Sequence, residues 1–389
     1  MNQPTDYSKD LYIDTDDALI SLCEQLRDAR LLAIDTEFIR DKTYYSKLCL
    51  IQIASDDVIA CIDPLAINNI DPLLDILYDP NVIKLMHAAR QDLEIFYYLR
   101  QSLPCPVFDT QIAATVLGYG EQVGYSNLVE NILGRKLEKG HARTDWGKRP
   151  LDTAQLHYAA DDVRYLLQLY PLMDDKLAQL GRRDWLEEDF KLLCQPELYT
   201  TAEADLWQRV KGHQRLSGVK LAMLQQLAIW REHLAMKKDR PRRWILSDDI
   251  LVDIVKRAPH SAKELGSIRG LPERFMEQHQ QTILQLITDA EQQPKESWPR
   301  LIINRPSPQQ DVLSDVMMGL LRLRATEHNI STTILATRKD IEKIAMGQRD
   351  LPLLKGWRAK LAGHDLLAFL DGQTRLEVDK AQLVLLEKP

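Results

Sequence analysis

AIDTEFIRDKTYYSKLCLIQIA, residues 33–54, decides the fold of this chain, because it joins two apolar runs through a polar connection. The first run is part of LLAIDTEF, the second is LCLIQIA, and a third, VIACID, follows at residues 58–63. Short runs of strand-forming residues separated by polar connections are typical of neighbouring strands. The three runs therefore predict a meander that opens a β-sheet.

The sequence after this meander carries both strand and helix patterns. VIKLMH, residues 82–87, predicts a further strand. Amphipathic helices are predicted to begin near four later residues, Ala89, Thr110, Ser126 and Asp152. Strands first and helices interleaved later indicate an α/β domain.

Beyond about Tyr170, helical periodicity continues almost to the carboxyl terminus. It is interrupted by EQQPKESWPRLIINRPSPQQ, residues 291–310, whose prolines resist helix continuation and indicate a domain boundary. The helical pieces from Leu227 and from Leu320 resemble each other in helix length, loop position and a Ser or Thr before the next helix. Short helical units often resemble each other by chance, but features that match in the same order favour a duplication. We therefore expect two all-helical domains.

The length and the charge of the chain limit its class. A chain of 389 residues exceeds what one hydrophobic core usually supports, which suggests two or three domains. The 50 Lys and Arg residues and 57 Asp and Glu residues give a net charge of −7. Because the chain lacks the overall basic character of many nucleic-acid binders, such binding would need local basic patches. Carboxylates that hold hard cations are a second source of acidic charge.

The cysteines and the apolar runs bear on location. Five widely spaced cysteines occur, with no C-x-x-C pair, at Cys23, Cys49, Cys61, Cys105 and Cys194. They indicate neither a disulfide framework nor a zinc site, so a reducing cytoplasm is expected. The amino terminus lacks a basic region with an apolar core, and no apolar run approaches membrane-spanning length. We expect a cytoplasmic protein without membrane contact.

The first candidate catalytic residues are Asp35 and Glu37 in AIDTEF. Side chains two apart on a strand project from the same face, so both carboxylates can converge on one cation. Like charges this close on an apolar strand need a cation or a base to compensate them. For Asp-x-Glu alone, a solvated strand end is the common alternative.

Further candidates follow along the chain. Asp92 lies in the first turn of the helix predicted from Ala89, where the helix dipole alone also favours an acid. His87 ends the preceding strand and is either a strand-end histidine or a substrate contact. Tyr158 and Asp162 are four apart in LHYAADDVRYLL and share one helix face, an arrangement that many surface helices also have.

Together, these acids, the tyrosine and their order resemble the three motifs of the DEDD exonuclease superfamily in its tyrosine variant. Four stretches are similar to those of the bacterial ribonuclease D family: AIDTEFIRDKTYYSKLCLIQIA, HAARQDLEIF, FDTQIAA and ARTDWGKRPLDTAQLHYAADDVRYL. The resemblance covers nearly the whole chain. It implies an α/β exonuclease domain with a mixed, ribonuclease H-like sheet, followed by two helicase-and-RNase-D carboxy-terminal (HRDC) domains.

The resemblance also implies the domain bounds. These are an exonuclease domain at 1–172, a helical connector at 173–204, a first HRDC domain at 205–290, a Pro-rich linker at 291–309 and a second HRDC-like domain at 310–389. The second copy has no counterpart to the basic run KKDRPRR of the first. The resemblance therefore does not extend to its RNA contact.

By the same resemblance, the reaction is hydrolysis at RNA 3′ ends assisted by two Mg²⁺ or Mn²⁺ ions. Two hard cations about 4 Å apart can activate a water and neutralise charge on the attacking and leaving oxygens. Asp35 would touch both ions. Glu37 and Asp162 would hold the water-bearing ion, and Asp92 would help to position the other. Tyr158 would orient the water, and oxygen ligands select magnesium or manganese rather than zinc.

The implied substrate is RNA with a free 3′ end, in particular tRNA precursors. Phe38 and Tyr44 are candidates for stacking on the last bases, with a place in the core as the alternative. Candidate phosphate contacts lie in the basic run, at Lys237, Lys238, Arg240, Arg242 and Arg243, with a solvated loop as the alternative. We expect a monomer without an obligate protein partner.

Two other functions are compatible with parts of this pattern. A DNA exonuclease of the polymerase-proofreading type uses the same carboxylates, but the paired helical domains argue against it. A catalytically silent RNA-binding scaffold would follow from the loss of one metal ligand, whereas all four acids are present. The sequence therefore predicts a 3′-5′ exoribonuclease that releases nucleoside 5′-monophosphates.

Overall fold

The structure is a computed structural model that describes residues 7–137, 140, 144–301 and 305–388. The chain divides into two compact units. The first unit comprises Met1–Phe38, Leu48–Gln195 and Arg305–Pro389, and the second comprises Ile39–Lys47 and Pro196–Asn304. None of the helices in these described parts is both long enough and apolar enough to cross a membrane.

The first unit contains a six-stranded sheet. Its strands are β1 (Asp10–Ile13), β2 (Leu31–Ile39), β3 (Lys47–Ala54), β4 (Ile59–Ile62), β5 (Ile83–Met86) and β6 (Val107–Asp109). Their order across the sheet is β1-β4-β3-β2-β5-β6. The pairs β1 with β4, β2 with β5 and β5 with β6 are parallel, whereas β3 and β4 are antiparallel. The predicted α/β class with a mixed sheet is therefore confirmed.

Helices connect and cover these strands. They are α1 (Asp16–Leu26), α2 (Asp71–Leu77), α3 (Arg90–Arg100), α4 (Thr110–Val116), α5 (Tyr125–Leu133), α6 (Thr153–Arg164), α7 (Leu166–Gln179) and α8 (Arg183–Leu193). The four helices predicted from their apolar periodicity correspond to α3, α4, α5 and α6. The short edge strands β1 and β6 were not predicted, because runs of four and three residues carry too little periodic signal.

The second unit is helical apart from the loop 39–47 that follows β2. Its helices are α9 (Val219–Lys237), α10 (Arg242–Ile245), α11 (Asp248–Arg257), α12 (Ala262–Gly266) and α13 (Glu273–Gln292). Leu224 and Leu227 of α9 pack with Leu251 and Ile254 of α11 in one buried core. The second unit therefore has a hydrophobic core of its own.

The carboxy-terminal segment of the first unit is mainly helical. It contains α14 (Pro308–Glu327), α15 (Thr332–Leu335), α16 (Arg338–Ala345), α17 (Gly356–Arg358) and α18 (His364–Leu370), then the strands β7 (Thr374–Asp379) and β8 (Gln382–Glu387). The antiparallel pair β7 and β8 corrects the expectation of helices alone. Its two-residue turn is Lys380-Ala381, with φ of 45° and 64°. Such turns favour Asn-Gly or Asp-Gly, so this one gave no recognisable signal.

The carboxy-terminal segment shares a hydrophobic core with the α/β domain. Leu166 and Leu169 of α7 belong to the same buried cluster as Leu320 and Leu321 of α14. The expected separation of residues 310–389 as a second HRDC domain stays a prediction.

Two side chains reinforce this shared core. The Trp185 ring of α8 stacks on the Trp357 ring of α17, with centroids 4.6 Å apart and planes at 1°. Arg182 is only 8% exposed and donates hydrogen bonds to the carbonyls of Val116 at 2.5 Å and His328 at 2.8 Å. Arg182 therefore links α4, α8 and the segment after α14.

The structure also contains one disulfide, between Cys105 and Cys194, whose Cα atoms are 6.1 Å apart. This finding corrects the expectation that no cysteines are bridged. The two residues are 89 apart in sequence and meet because β6 and α8 are neighbours in the fold. Spacing along the chain could not reveal the pair. Cys23, Cys49 and Cys61 are not part of this disulfide.

We predict that Arg182→Ala destabilises the protein by about 2 to 4 kcal/mol, because two buried carbonyls lose their donor. The matched control is Arg183→Ala, since Arg183 is the next residue but is exposed and pairs only with Asp174 on the surface. Urea unfolding of both variants measures the difference. Equal stabilities would contradict the linking role of Arg182.

Candidate active site

Strand β2 carries the first two carboxylates of the site. Asp35 and Glu37 alternate with Thr36, so they project from one face, whereas the Thr36 side chain is buried on the other. Carboxylate oxygens of Asp35, Glu37 and Asp162 all lie within 4.8 Å of one another. The structure therefore brings three of the four predicted metal ligands into one group.

Helix α6 supplies Asp162 together with Tyr158. Its amino end is fixed by a capping box, in which Asp152 accepts a hydrogen bond from the Gln155 amide and the Gln155 side chain accepts one from the Asp152 amide. The spacing of four places Tyr158 and Asp162 on one face, and the Tyr158 hydroxyl donates a hydrogen bond to Asp162. A rigid helix start thus sets the position of both groups.

The neighbouring Asp161 takes part in a different cluster. It accepts hydrogen bonds from Arg164 at 2.9 Å and from the Tyr7 hydroxyl at 2.9 Å. Arg164 also pairs with Asp10 of β1. The Tyr7 ring stacks on His157, with centroids 3.8 Å apart. These contacts tie the outer face of α6 to the amino-terminal strand, while Asp162 faces the other carboxylates.

Asp92, the fourth predicted ligand, lies in the first turn of α3 and is 7% exposed. It accepts a hydrogen bond from the Thr36 hydroxyl and lies outside the group of three. Its charge nevertheless acts on the pKa of both Asp35 and Glu37. Asp92 is therefore an electrostatic neighbour of the cluster, held against β2 by Thr36.

Asp109 fixes the start of the helix that carries Asp92. Its carboxylate accepts hydrogen bonds from the amides of Ala88 at 3.1 Å and Ala89 at 2.8 Å, just before α3. It also caps α4, accepting from the Gln111 amide at 2.8 Å. Ala88 has a φ of 58°, which is costly for a residue with a Cβ, and the contacts of Asp109 hold it there.

Burial and the charges of neighbouring carboxylates raise the pKa values of these four acids. Burial, followed by the charges of Asp92, Asp162 and Glu37, raises the pKa of Asp35 well above its ordinary value. Burial and the charges of Asp162 and Asp92 raise the pKa of Glu37 to about 8. Burial also raises the pKa of Asp92 and of Asp162 to about 7. The site therefore has a strong electrostatic demand for positive charge.

The hydroxyl of Tyr158 stays protonated at neutral pH. Burial, followed by the charges of Asp162, Glu37 and Asp35, raises its pKa above the ordinary value. The Tyr158 ring lies 6.3 Å from the ring of Trp146, which is buried. Tyr158 is thus a hydrogen-bond donor beside the carboxylates, not a base.

The donor set fits hard divalent cations. All of its groups are carboxylates, and oxygen ligands suit magnesium and manganese, whereas zinc sites usually contain nitrogen or sulfur. A cation would also compensate the repulsion that raises the carboxyl pKa values. The acidic cluster therefore suggests the use of divalent metal ions.

Comparisons with known proteins bear on the family of this chain. The family described as "3'-5' exonuclease" matches residues 11–178, and the HRDC domain family matches residues 220–287. The ribonuclease D of Sphingobium indicum is 39% identical over 94% of this chain and 95% of its own length. That of Gluconacetobacter diazotrophicus is also 39% identical, over 94% of both chains. The chain belongs to the ribonuclease D family.

Solved structures lead to the same conclusion. Escherichia coli RNase D, an exoribonuclease involved in structured RNA processing, is similar with a TM-score of 0.82 and 34% identity, over 93% of this chain and 98% of its own. The catalytic core of RRP6 from Trypanosoma brucei, at 22% identity and a TM-score of 0.55 over 72% of this chain and 79% of its own, shares the fold. The ribonuclease D relatives and the RNase D structure make this chain a 3′-5′ exoribonuclease.

The structure places the predicted substrate contacts of this ribonuclease D family member in different surroundings. Phe38 is half-buried on β2, next to Glu37. His87 has both ring nitrogens engaged, at 2.9 Å from the Thr110 hydroxyl and 3.0 Å from the Val123 carbonyl. Burial lowers the pKa of His87. These contacts favour the structural alternative for His87.

Tyr44 and the basic run belong to the second unit. The Tyr44 hydroxyl donates a hydrogen bond to Glu232 of α9, and the Arg242 guanidinium lies 5.4 Å from the centre of its ring. Arg242 pairs with Glu232 as well. The other predicted phosphate contacts, Lys237, Lys238, Arg240 and Arg243, are exposed. Their contact with RNA, and the stacking of Tyr44 on a base, stay predictions.

Several residues that support the site were missed from the sequence. Thr36 and Asp109 hold Asp92 and its helix, but a lone Thr or Asp has no distinctive spacing. Arg149 donates to the carbonyls of Trp146 and Cys49, both at 2.7 Å, and so fixes the segment whose Trp146 ring lies beside Tyr158. In the sequence, the only sign that this segment matters was its place in ARTDWGKRPL, part of a stretch that resembles the ribonuclease D family. Ala142 and Arg143 of this stretch lie outside the described residues.

We predict that the metal-free protein loses thermal stability as pH rises from about 4 to 8. The folded carboxyls keep protons that the unfolded chain has released, because their pKa values are raised to about 7 for Asp92 and Asp162 and about 8 for Glu37. At pH 8, saturating Mg²⁺ should raise the melting temperature by roughly 5 °C. Asp162→Asn should weaken both effects in a thermal scan. Identical profiles for the variant and the wild type would contradict the electrostatic account.

Proposed function

We propose that this enzyme trims structured RNA with a short 3′ extension, tRNA precursors in particular, one nucleotide at a time. The observation that carries the proposal is the group of carboxylates from Asp35, Glu37 and Asp162 within 4.8 Å, beside the protonated hydroxyl of Tyr158. This arrangement suits hydrolysis of a phosphodiester without a covalent nucleophile.

The four carboxylates of Asp35, Glu37, Asp92 and Asp162 would hold two Mg²⁺ or Mn²⁺ ions. When bound, such ions lower the pKa of a water and neutralise charge on the phosphate oxygens. The carboxylates supply the negative charge that keeps hard cations in place, and their burial strengthens this attraction. Asp92, which is held by its hydrogen bond from Thr36, would be the fourth of these ligands.

Tyr158 would orient the attacking water. Its hydroxyl already donates to Asp162, and its raised pKa keeps the proton on the oxygen. A neutral phenol both donates and accepts hydrogen bonds, so it can align a water without removing its proton. The tyrosine would therefore act by positioning the water.

RNA is the proposed polymer because the ribonuclease D relatives and the Escherichia coli structure are described as acting on it. The second unit offers a cavity of about 450 Å³ that contains Arg209, Arg242, Arg243 and Trp244 among its lining residues. Cations and an exposed tryptophan side by side suit phosphates and bases of a single strand. The basic run from Lys237 to Arg243 lies in the same unit, and its Arg242 and Arg243 line this cavity.

We propose that residues 310–389 are a second, divergent HRDC domain, and that the enzyme acts as a monomer. We further propose that it works in the cytoplasm.

Asp35→Ala should abolish turnover while leaving RNA binding within about threefold of the wild type, because Asp35 serves the metal ions rather than the RNA chain. End-labelled RNA and DNA oligonucleotides, each with and without chelator, are separated on a sequencing gel. Single-nucleotide ladders from RNA, lost with chelator, are expected. Preferred degradation of DNA would favour the proofreading alternative, and RNA binding without any degradation would favour the scaffold.

Tyr158→Phe should lower kcat by roughly 10- to 1,000-fold, because a positioned hydroxyl group is removed while all metal ligands remain. The Mn²⁺ affinity, measured by calorimetry, should stay close to that of the wild type. Trp207→Phe is a matched aromatic control, since Trp207 is buried in the core of the second unit. If Tyr158→Phe lost metal affinity instead of kcat, the hydroxyl would be part of the metal site.

A further inference from the structure

The second unit contains another cavity, of about 610 Å³, formed by the chain before α9 and the Pro-rich segment after α13. Among the described residues, its lining includes three cationic side chains, Arg215, Lys295 and Arg300, and no acidic one. In a chain with a net charge of −7, this is a locally positive surface. None of its lining residues belongs to the carboxylate site.

The three cations are exposed and unneutralised. Within the described part of the chain, none of them forms an ion pair with a carboxylate within 4.0 Å. The 450 Å³ cavity of the same unit differs in this respect, because Arg242 pairs with Glu232 and Arg231 with Asp248 there. Cations without carboxylate partners in the protein are available to a bound anion.

The floor of the 610 Å³ cavity is apolar. Leu216 and Leu221 are 4% and 1% exposed, and the Trp298 side chain lines the same space. Gly218 has a φ of 58°, and a Cβ built there would lie 3.7 Å from the Trp298 ring. Glycine at this position therefore permits the turn and leaves that side of the tryptophan uncovered.

We propose that this cavity binds one nucleotide of the RNA chain, at a point away from the 3′ end that enters the carboxylate site. Its base stacks on Trp298, and its flanking phosphates contact Arg215 and Arg300, with Lys295 beside them. The proposal rests on the proposed function, since it takes the same RNA as its ligand. A volume of about 610 Å³ falls in the range of roughly 300 to 1,000 Å³ for small-ligand sites.

RNA fits this site better than a protein segment. An acidic peptide would satisfy the cations, but it would not use the tryptophan and leucine floor together with them. Stacking of a base on an aromatic ring beside phosphate-binding cations is the usual chemistry of single-strand binding. A free nucleoside monophosphate has the same chemistry, so the experiment must distinguish it from a chain.

The test compares full-length variants with matched charge. Arg215→Gln/Arg300→Gln removes two lining cations, and Lys263→Gln/Arg274→Gln removes two exposed cations of the same unit that do not line the cavity. Binding of a labelled single-stranded RNA is followed by fluorescence anisotropy in EDTA, at several salt concentrations. Thermal unfolding checks that each variant is folded.

The cavity variant should bind RNA about 5- to 50-fold more weakly, with the salt slope reduced by about 1.4 for two lost phosphate contacts. The control variant should keep the affinity within about twofold, since its cations contact no phosphate in this proposal. Trp298→Phe should retain most of the affinity and Trp298→Leu should lose about 5-fold or more, because only the former can stack. RNA carrying 4-thiouridine should crosslink within residues 295–301.

Equal losses in the cavity and control variants would overturn the proposal, because they would reflect net charge alone. Crosslinks confined to other segments would overturn it too. If free AMP displaced RNA from the wild type as effectively as an unlabelled oligonucleotide, the site would take nucleotides rather than a chain. Degradation of the RNA by the wild type with Mg²⁺ is measured in parallel. Its absence would count against the proposed function itself, whereas degradation with unchanged variant binding counts only against the cavity.

Discussion

Repulsion among half-buried carboxylates is the constraint on which the first unit depends. Asp35, Glu37 and Asp162 present oxygens within 4.8 Å of one another, in surroundings that raise the pKa of each of them. No flexible segment would hold such a group together, since it would relax outward into water. The acids instead project from β2 and α6, whose backbone positions are fixed by the sheet and by the capping box at Asp152.

The supporting contacts follow from the same constraint. Arg164 forms ion pairs with Asp161 and Asp10, and these pairs fix the outer side of α6. On the inner side of the same helix, Asp162 is repelled by the other carboxylates. Asp109 and Thr36 act similarly on the helix that carries Asp92. The hydrogen bonds of these supporting residues hold carboxylates close together. Without these contacts, the carboxylates would move apart into water. The free-energy cost of the repulsion is thereby offset by the hydrogen bonds and ion pairs of the residues around the site.

Sequence patterns predicted the parts of the site that depend on local geometry. Strand alternation places Asp35 and Glu37 together, and helical spacing does the same for Tyr158 and Asp162, because both periodicities are properties of a single element. The order of the motifs then indicated the family. Contacts between elements that are distant in sequence could not be predicted from such periodic patterns. The pairing of Cys105 with Cys194 and the engagement of Tyr44 by Glu232 depend on which surfaces meet.

The outcome for Tyr44 shows why composition alone is a weak guide to binding residues. An aromatic side chain shortly after β2 is a reasonable stacking candidate, yet the hydroxyl and the ring of Tyr44 are both engaged within the second unit. Likewise, Arg242 in the basic run is committed to Glu232, whereas its neighbour Arg243 is largely exposed. The number of cations in a segment therefore overstates how many can meet a phosphate.

The buried cluster shared by α7 and α14 has a consequence for dividing the protein into fragments. A cut after residue 304 looks natural, because it follows a helical domain and a Pro-rich stretch. Cutting there would strip Leu320, Leu321 and Trp357 from the side of the α/β domain and leave a wide hydrophobic surface open to water. Such a truncated chain would tend to aggregate, so its inactivity would say nothing about the role of the missing residues in RNA recognition.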